Sequence, residues 1–323
     1  SVIPANIINT IIVTTNATNV IPFSFFCSSI FTYFSFLFLI VISGWFIQRG
    51  SFCLVAAVDS IIEKKLTKIL MIFGVALFSG AILMFFQIPI VYSPSRNDFL
   101  LALLGAVVFG FGATLNSGCF FGTLTKLFKG NIHMLFSLAG IISTSILAPP
   151  LVLEKKLNVS YPSFYYYFIL LLIVTILIFF QKHDKKYNYF MNLIIPGLVF
   201  GIMNSSTFGW SLSQLIINIW FFFNNNILFV KMQVLEFFAF LLGMWIYHLK
   251  YNQFKWKKLD SLKATKHFFA GIIMALGARM MGGGNDNLLF QKLPSITFEV
   301  FMLMYVLVLS IYITQTVLLP KVS

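Results

Sequence analysis

Long stretches of this chain contain no charged residue, and this feature restricts its fold more than any other. The stretch from Phe164 to Phe180, for example, is apolar or aromatic at nearly every position. A helix that crosses a bilayer needs about 20 mostly apolar residues, so stretches of this kind predict membrane spans. Membrane β-barrels require alternating polar residues, which these stretches lack. The predicted fold class is therefore an all-α polytopic membrane protein.

The overall composition argues against a set of soluble domains. The 323 residues are 59% hydrophobic and 10% charged, whereas an ordinary soluble domain has roughly 25% charged residues. In a soluble protein, the net charge of +13 would indicate binding to nucleic acid. In a membrane protein the basic residues report topology instead, so the lipid bilayer is the predicted partner and nucleic acid is not.

Apolar windows separated by helix breakers predict about nine membrane spans. These spans cover approximately residues 23–47, 66–92, 99–115, 131–153, 163–181, 188–204, 229–249, 266–282 and 296–319. Other apolar segments are too short to cross, and each follows a stretch rich in glycine or in glycine and serine. These short segments cover approximately residues 51–62, 119–128, 209–220 and 285–292. We expect each of them to be a short re-entrant helix that enters the membrane part-way.

The distribution of Lys and Arg predicts the orientation of the chain. Connectors that follow odd-numbered spans contain 16 of the 22 basic residues, and connectors on the other side contain 5, including Lys292. Positive residues collect on the cytoplasmic side, so we expect the N-terminus outside and the C-terminus inside an inner (plasma) membrane. Residues 1–22 carry no charge and lack the basic region of a signal peptide. They are predicted to be an extracytoplasmic segment.

Two pairs of stretches indicate an internal repeat. GAVVFGFGATLNSGCFFG from Gly105 resembles GIIMALGARMMGGGNDN from Gly271, and a weaker likeness joins GWFIQRGSFC from Gly44 to GIMNSSTFGW from Gly201. The chain then divides into a first repeat over 23–153, a linking transmembrane helix over 154–187 and a second repeat over 188–323. One linking span places the second repeat upside down, and inverted repeats hold a substrate path at their interface.

The first candidate site lies at the break before the short segment at 119–128. Gly118 and Gly122 allow the backbone to turn and to approach a solute, and the start of a short helix offers N–H groups that favour an anion. Cys119 is placed at this positive end. The alternative is that the glycines serve helix packing and that Cys119 is a small buried hydrophobe. The repeated pattern in the second half favours the functional interpretation.

A second cysteine occupies the equivalent break in the earlier pair of stretches. Cys53 follows Arg49, Gly50, Ser51 and Phe52, at the start of the short segment at 51–62. It is predicted to face the same path, whereas Arg49 is better explained as a cytoplasmic anchor.

The second half offers a cluster without cysteine. Arg279 is the basic residue within a predicted span, where a charge is costly and requires a partner or a wet cavity. It precedes Gly283, Gly284, Asn285 and Asp286. Asp286 is predicted to cap the short helix and to pair with Arg279. All five are candidate pathway residues.

Motifs for catalysis and for cofactors are absent from the sequence. The four histidines have no metal-ligand spacing, and no Walker, GxSxG or paired-carboxylate motif occurs, so neither a metal centre, a cofactor nor a hydrolase is predicted. No energy-coupling motif occurs either. A membrane thiol enzyme that passes electrons through Cys53 and Cys119 stays an alternative, although the CxxC spacing is missing.

The motifs resemble those of the YeeE/YedE family of sulphur transporters, whose members take up thiosulfate. The resemblance rests on RGSFC from Arg49, NSGCFFGTLTKLFKGN from Asn116 and GARMMGGGNDNLLFQKLPS from Gly277, and it extends over nearly the whole chain. It implies an hourglass of nine spans and four short helices. It also implies that Cys53 and Cys119 line a path in which thiols hydrogen-bond transiently to a small inorganic sulphur anion.

The sequence departs from the family pattern in the second half. Relatives that import thiosulfate have Gly-Gly-Cys there, whereas this chain has glycines followed by Asn285 and Asp286. Asn285 could replace a thiol as a donor to oxyanion oxygens, and Asp286 would repel an anion unless Arg279 neutralises it. The resemblance thus implies thiosulfate uptake first, with another sulphur or selenium species or a different small solute as the alternative cargo.

Overall fold

The computed structural model describes residues 30–50, 52–85, 96–148, 186–205, 228–251 and 254–318, together with residues 172, 176, 211–213 and 215. The regular structure of these residues is entirely helical. The uncharged segment 1–22 lies outside the described residues, as do the predicted span at 163–181 except for residues 172 and 176 and most of the predicted short helix at 209–220.

The helices follow the predicted order of spans and short segments. In the first half they are α1 (Ile30–Gly50), α2 (Leu54–Ile62), α3 (Thr67–Phe85), α4 (Arg96–Leu115), α5 (Phe120–Phe128) and α6 (His133–Leu147). In the second half they are α7 (Lys186–Ser205), α8 (Leu228–Tyr251), α9 (Ser261–Met281), α10 (Asn285–Asn287) and α11 (Phe298–Ile313). A π-helical turn, Leu288–Lys292, and a 3₁₀ turn, Leu293–Ser295, continue α10, and we call all three together the C-terminal short helix.

Several helical segments are long and apolar enough to cross a membrane. They are Phe34–Ile62, Thr67–Phe85, Asp98–Phe128 and Phe298–Leu318, and His133–Leu147 and Leu193–Asn204 are shorter apolar helices. Two of these segments join a long helix to the short helix that follows its break, as the sequence predicts for α1 with α2 and for α4 with α5. The prediction of an all-α polytopic membrane protein is confirmed.

The long helices pack in pairs that have counterparts in the other half of the chain. Helix α4 packs on α9, α3 packs on α7 as α8 packs on α1, and α6 packs on α9 as α11 packs on α4. These contacts suggest matching α1 with α7, α3 with α8, α4 with α9 and α6 with α11. Under this matching the α4–α9 pair corresponds to itself, the α3–α7 pair to the α8–α1 pair, and the α6–α9 pair to the α11–α4 pair. This is the arrangement that two equivalent sets of four long helices would produce.

Glycines allow α4 and α9 to approach each other at the centre of this arrangement. A Cβ atom on Gly277 would lie 2.4 Å from the main-chain nitrogen of Phe109, and one on Gly105 would lie 2.8 Å from the carbonyl oxygen of Gly277. Both distances are far shorter than normal contacts, so the two backbones are in direct contact. Small residues at such crossings are typical of membrane helices, which associate through close packing.

We expect Gly277→Leu to destabilise the protein by about 1–3 kcal/mol or more, because the added side chain would overlap the backbone of α4. Thermal denaturation of the purified protein in detergent measures the effect. The matched control is Leu276→Phe, which adds volume at a neighbouring position that is 37% exposed at the outer face of α9. Equal melting of Gly277→Leu and the wild type would show that the helices do not need this close approach.

Two basic connectors contact each other beside the helix ends. The main-chain N–H of Lys257 donates to the carbonyl of Gly130 at 3.0 Å, and Gly130 has a φ of 89°. Asp260 caps α9 by accepting from Leu262 N at 3.1 Å, and the hydrogen bond from the Lys263 side chain lowers the pKa of Asp260. The charge count assigns these two connectors to the same side of the membrane, and their contact agrees with that assignment.

Candidate functional site

The two cysteines that the sequence singled out lie side by side. Cys53 precedes the first residue of α2 and Cys119 precedes the first residue of α5, so each is the N-cap of a short helix. The Sγ atom of Cys119 donates to that of Cys53 at 3.6 Å. Both residues are buried and both are free thiols. The breaks before α2 and α5 therefore meet at one point.

Gly122 makes this meeting possible. It lies in the first turn of α5, and a Cβ atom there would be 2.5 Å from the Sγ of Cys53 and 3.9 Å from the Sγ of Cys119. Gly118 has a related role, since its Cβ would be 3.1 Å from the carbonyl carbon of Gly122. The glycines thus provide the space in which the thiol of one break reaches the other.

A chain of hydrogen bonds from α9 fixes the main-chain carbonyl of Cys119. The Nδ1 atom of His267 on α9 donates to Asn116 Oδ1 at 2.9 Å, and Asn116 Nδ2 donates to Thr123 Oγ1 at 2.7 Å and to the Gly118 carbonyl at 3.0 Å. The hydroxyl of Thr123 in turn donates to the carbonyl of Cys119 at 2.9 Å. Buried networks of this kind rigidify a site when every member has a partner.

The break before α5 is further fixed by a lysine. Ser117 has a φ of 58°, in the left-handed region, and its carbonyl accepts from the Nζ of Lys126 at 2.5 Å. Lys126 lies in the last turn of α5. Its side chain therefore spans the short helix and satisfies a carbonyl at the C-terminal end of α4, where helix carbonyls lack partners.

The glycine-rich break in the second half has a different design. Gly282 and Gly283 have φ values of 67° and 142°, both left-handed, so the chain leaves α9 through residues that favour glycine. A Cβ on Gly283 would lie 2.7 Å from Asn287 Oδ1, and one on Gly284 would lie 2.9 Å from Asp286 Oδ1. The polar side chains that follow the break therefore fold back over it.

These polar side chains are buried, and several of their atoms have no partner among the described residues. Asp286 is fully buried, and its Oδ2 accepts from the main-chain N–H of Ser213 at 2.8 Å. Its Oδ1 has no hydrogen bond, and both side-chain polar atoms of Asn285 lack one as well. Buried polar atoms are normally hydrogen-bonded, so each exception requires an explanation.

The predicted pairing of Arg279 with Asp286 is wrong. The NH2 atom of Arg279 donates instead to the carbonyl of Ser145 on α6 at 2.7 Å, and its Nε and NH1 atoms have no partner among the described residues. The reason is helical geometry: α9 is buried against α6 on the side that carries Arg279. Of the second-half candidates, the structure groups Gly283, Gly284, Asn285 and Asp286 at the break and directs Arg279 towards α6.

Lys292 corrects a second expectation. The charge count placed it in a connector, but it is buried, and its Nζ donates to the carbonyls of Met281 at 2.9 Å and Gly282 at 3.1 Å. It therefore has the same role at the end of α9 that Lys126 has at the end of α4. Lys126 is seven residues after Cys119, whereas Lys292 is eight residues after Gly284. The π-helical turn accommodates the additional residue.

A second equivalent contact joins the first helix of each half to the short helix. The side-chain amide of Gln48 on α1 donates to the carbonyl of Thr125 at 3.4 Å, and that of Asn204 on α7 donates to the carbonyl of Phe290 at 3.2 Å. Thr125 is six residues after Cys119, and Phe290 is six residues after Gly284, the position that matches Cys119 in the second half. Simple sequence comparison missed these residues, because a hydrogen bond to a carbonyl requires no particular motif at the acceptor.

Phenylalanine side chains fill the space between the two breaks. Phe121 contacts the rings of Phe200, Phe240 and Phe290, with centroids 5.9–6.3 Å apart. Phe200 and Phe290 stack at 4.2 Å. The ring of Phe120 occupies the place where a Cβ on Gly284 would be, 2.5 Å from its Cε2 atom. We call these five residues the aromatic layer. It directly follows Cys119 and reaches Gly284.

Comparison with known proteins relates part of the chain to a described family. Residues 49–163 match the sequence model of a family described as sulphur transport. The chain is therefore similar to sulphur transport proteins over this part of its length. No curated protein sequence matches it significantly.

The matched region contains both of the breaks that carry a cysteine, the one before α2 and the one before α5. Cys53, Gly118, Cys119 and Gly122 all lie within residues 49–163. The break at Gly282–Gly284 lies beyond them, and it is also where the sequence lacks a cysteine. Within the described residues, no group of three or more His, Cys, Asp or Glu side chains could hold a metal ion.

Proposed function

We propose that this chain belongs to the sulphur transport family and is a permease for a small inorganic sulphur anion, with thiosulfate as the first candidate. The anion would pass between the two halves of the chain, which we propose to be inverted repeats over 23–153 and 188–323 joined by the helix over 154–187. We further propose the inner (plasma) membrane as its location, with the N-terminus outside and the C-terminus in the cytoplasm.

The observation that carries this proposal is the pair of thiols 3.6 Å apart at the N-termini of two short helices. Helix N-termini offer main-chain N–H groups and a positive dipole, which favour an anion. A thiol can donate a weak hydrogen bond to a sulphur or oxygen atom and carries no charge that would trap the anion. Cys53 and Cys119 together therefore suit transient contact with a passing sulphur anion.

The aromatic layer would close the proposed path in this conformation. Its five rings are buried, and Phe120, which follows Cys119, contacts Gly284. Passage of an anion would require Phe121 and its neighbours to move aside, and this motion would admit water only transiently. We propose that the equivalent helix pairs of the two halves form the two sides of this path.

We expect Cys53→Ser and Cys119→Ser each to reduce thiosulfate uptake by about tenfold, the effect of losing roughly 1.4 kcal/mol of contact in the rate-limiting step. A serine hydroxyl has a smaller and less polarisable atom at the end of a shorter bond, so it cannot reproduce the contact between the thiol and the sulphur of the anion. Uptake of labelled thiosulfate by cells that express each variant measures the effect. Cys27→Ser is the matched control, because it changes the third cysteine of the chain.

The controls separate mechanism from substrate. Uptake that is unchanged in both variants would exclude a thiol mechanism but leave the fold and family intact. No uptake by the wild type would exclude thiosulfate. Competition by sulfite, sulfide and selenium compounds would then identify which related species the wild type carries.

A second candidate function is favoured by the same distance. Two thiols at 3.6 Å need little movement to form a disulfide, so the pair could also pass electrons as a membrane thiol-redox protein. This alternative predicts that the isolated protein contains a substantial disulfide fraction. Alkylation of Cys53 and Cys119 with and without reductant, followed by mass spectrometry, measures that fraction. A permease is expected to show both thiols fully alkylated without reductant.

A further inference from the structure

We propose that Asp286 is a proton-binding site and that this chain moves a proton together with its anion. The inference rests on the proposed permease function and adds its energy coupling. It follows from the burial of the Asp286 carboxyl, from the partners of the basic groups around it, and from the charge of the cargo.

The surroundings of the Asp286 carboxyl suit a neutral acid better than an anion. Asp286 is fully buried, accepts one hydrogen bond at Oδ2 from the main-chain N–H of Ser213, and has no partner at Oδ1 among the described residues. An ionised carboxylate in such a place requires a cation or several donors. The Ser213 hydroxyl and the main-chain N–H groups of Asp286 and Asn287 are also near the carboxyl, but the Ser213 N–H is the donor that makes a hydrogen bond of normal geometry. With this hydrogen bond and complete burial, the protonated form is favoured. Its proton resides on Oδ1, the oxygen without a donor.

The basic groups on the elements packed against Asp286 are engaged elsewhere. Arg279 donates to Ser145, Lys292 of the same short helix donates to carbonyls at the end of α9, and Lys126 of α5 donates to the Ser117 carbonyl. The remaining titratable group of the α5 break is the thiol of Cys119, which bonds to Cys53. The ion pairs of Lys65 with Glu63 and of Lys263 with Asp260 do not involve Asp286. None of them neutralises Asp286.

The cargo makes the proton necessary for passage. A divalent anion near an ionised carboxylate is repelled strongly in a site that excludes water. The same anion beside a protonated carboxyl meets a neutral hydrogen-bond donor. Asn285 is buried, and its amide nitrogen has no partner among the described residues, so it offers a second neutral donor at the same break. Anion binding therefore requires a protonated Asp286, so the anion and the proton bind as one unit.

The coupling step conserves all atoms and charges. A proton from the side of entry converts the Asp286 carboxylate to the neutral acid, and the anion then binds. After the path opens to the other side, the anion leaves and water enters, and the carboxyl releases its proton to that water. No electron is transferred and no covalent bond to the anion forms. The net event is the transfer of one anion and one proton in the same direction.

The first test uses the full-length protein in vesicles that contain a pH-sensitive dye, with the membrane potential clamped at zero by potassium and valinomycin. Addition of thiosulfate outside is expected to acidify the lumen, with one proton for each labelled anion that enters. An imposed gradient, acidic outside, is expected to raise the accumulation ratio about tenfold for each pH unit. Anion entry with no acidification would overturn the inference and leave the permease function intact.

Variants locate the proton at Asp286. Asp286→Asn is permanently neutral, so we expect downhill thiosulfate entry to continue without acidification and without dependence on pH. Asp286→Glu keeps the acid and is expected to retain acidification. Glu236→Gln is the matched control, because it removes a different carboxyl, which is half-buried on α8, and should leave coupling unchanged.

The outcomes distinguish this inference from the function on which it rests. Acidification that persists in Asp286→Asn, or that is lost in Glu236→Gln, would exclude Asp286 as the coupling site. If Asp286→Asn does not fold, a pH profile of coupling in Asp286→Glu that equals the wild-type profile would exclude it as well. Absence of entry for thiosulfate, sulfite and sulfide in the wild type would overturn the permease function and this inference together.

Discussion

Treatment with diamide, a thiol oxidant, is expected to abolish anion uptake almost completely and reversibly. The Sγ atoms of Cys53 and Cys119 are 3.6 Å apart, and a disulfide requires a separation of about 2.05 Å. Two free thiols can close this gap by side-chain rotation, giving two electrons and two protons to the oxidant. The resulting bond would tie the breaks before α2 and α5 together and would remove both thiol contacts from the path.

The measurement combines uptake with mapping of the bond. Uptake of labelled thiosulfate is followed before diamide, after diamide and after reduction, and mass spectrometry identifies the peptide pair. The control is Cys53→Ala, whose residual uptake should be insensitive to diamide. Gly122→Ala provides a graded test, because its Cβ would lie 2.5 Å from the Cys53 sulphur and should lower the yield of disulfide. Full uptake by a protein with the bond intact would contradict a path past these thiols.

Asn116→Ala is expected to destabilise the protein by about 3 kcal/mol and to abolish most uptake, because it removes three hydrogen bonds worth about 1 kcal/mol each. The Asn116 side chain is buried and connects His267, Thr123 and Gly118. Without it, the Thr123 hydroxyl and the Gly118 carbonyl lose their links to α9. The break that carries Cys119 then loses the support that fixes its position.

Two further variants separate stability from function in this network. Thr123→Val removes two hydrogen bonds, the one that the hydroxyl accepts from Asn116 and the one that it donates to the Cys119 carbonyl, and is expected to reduce uptake with a smaller loss of stability than Asn116→Ala. Ser143→Ala is the matched control, since it removes a side-chain bond to the Ala139 carbonyl on an exposed part of α6. Thermal denaturation in detergent and uptake in cells are measured for each. Wild-type uptake in Asn116→Ala would exclude a positioning role for the network.

The break before α5 and the break before α10 have similar backbones and different chemistry. Each ends a long helix with a left-handed residue, begins a short helix and is held by a lysine that donates to carbonyls, Lys126 in one half and Lys292 in the other. The first break presents thiols, and the second presents Asn285 and Asp286. A common frame with two kinds of polar group is consistent with one half contacting the anion's sulphur and the other carrying a proton.

The sequence by itself determined the parts of this protein that depend on local pattern. Uninterrupted apolar runs predicted α1, α3, α4, α6 and the long helices of the second half, because a span must satisfy its main-chain groups within itself and expose apolar side chains to lipid. Glycines after these runs predicted where the helices break. The likeness between the two glycine-rich stretches also predicted that Cys119 and Gly284 would occupy matching places at the starts of short helices.

Only the tertiary structure decided which groups meet. Cys53 and Cys119 are 66 residues apart, and nothing in the sequence states that their sulphurs are in contact. Arg279 and Asp286 are near neighbours in sequence, yet one points to Ser145 on α6 and the other to the main chain of Ser213. Periodicity reports burial along one helix, whereas the partner of a buried polar group depends on how separate helices cross.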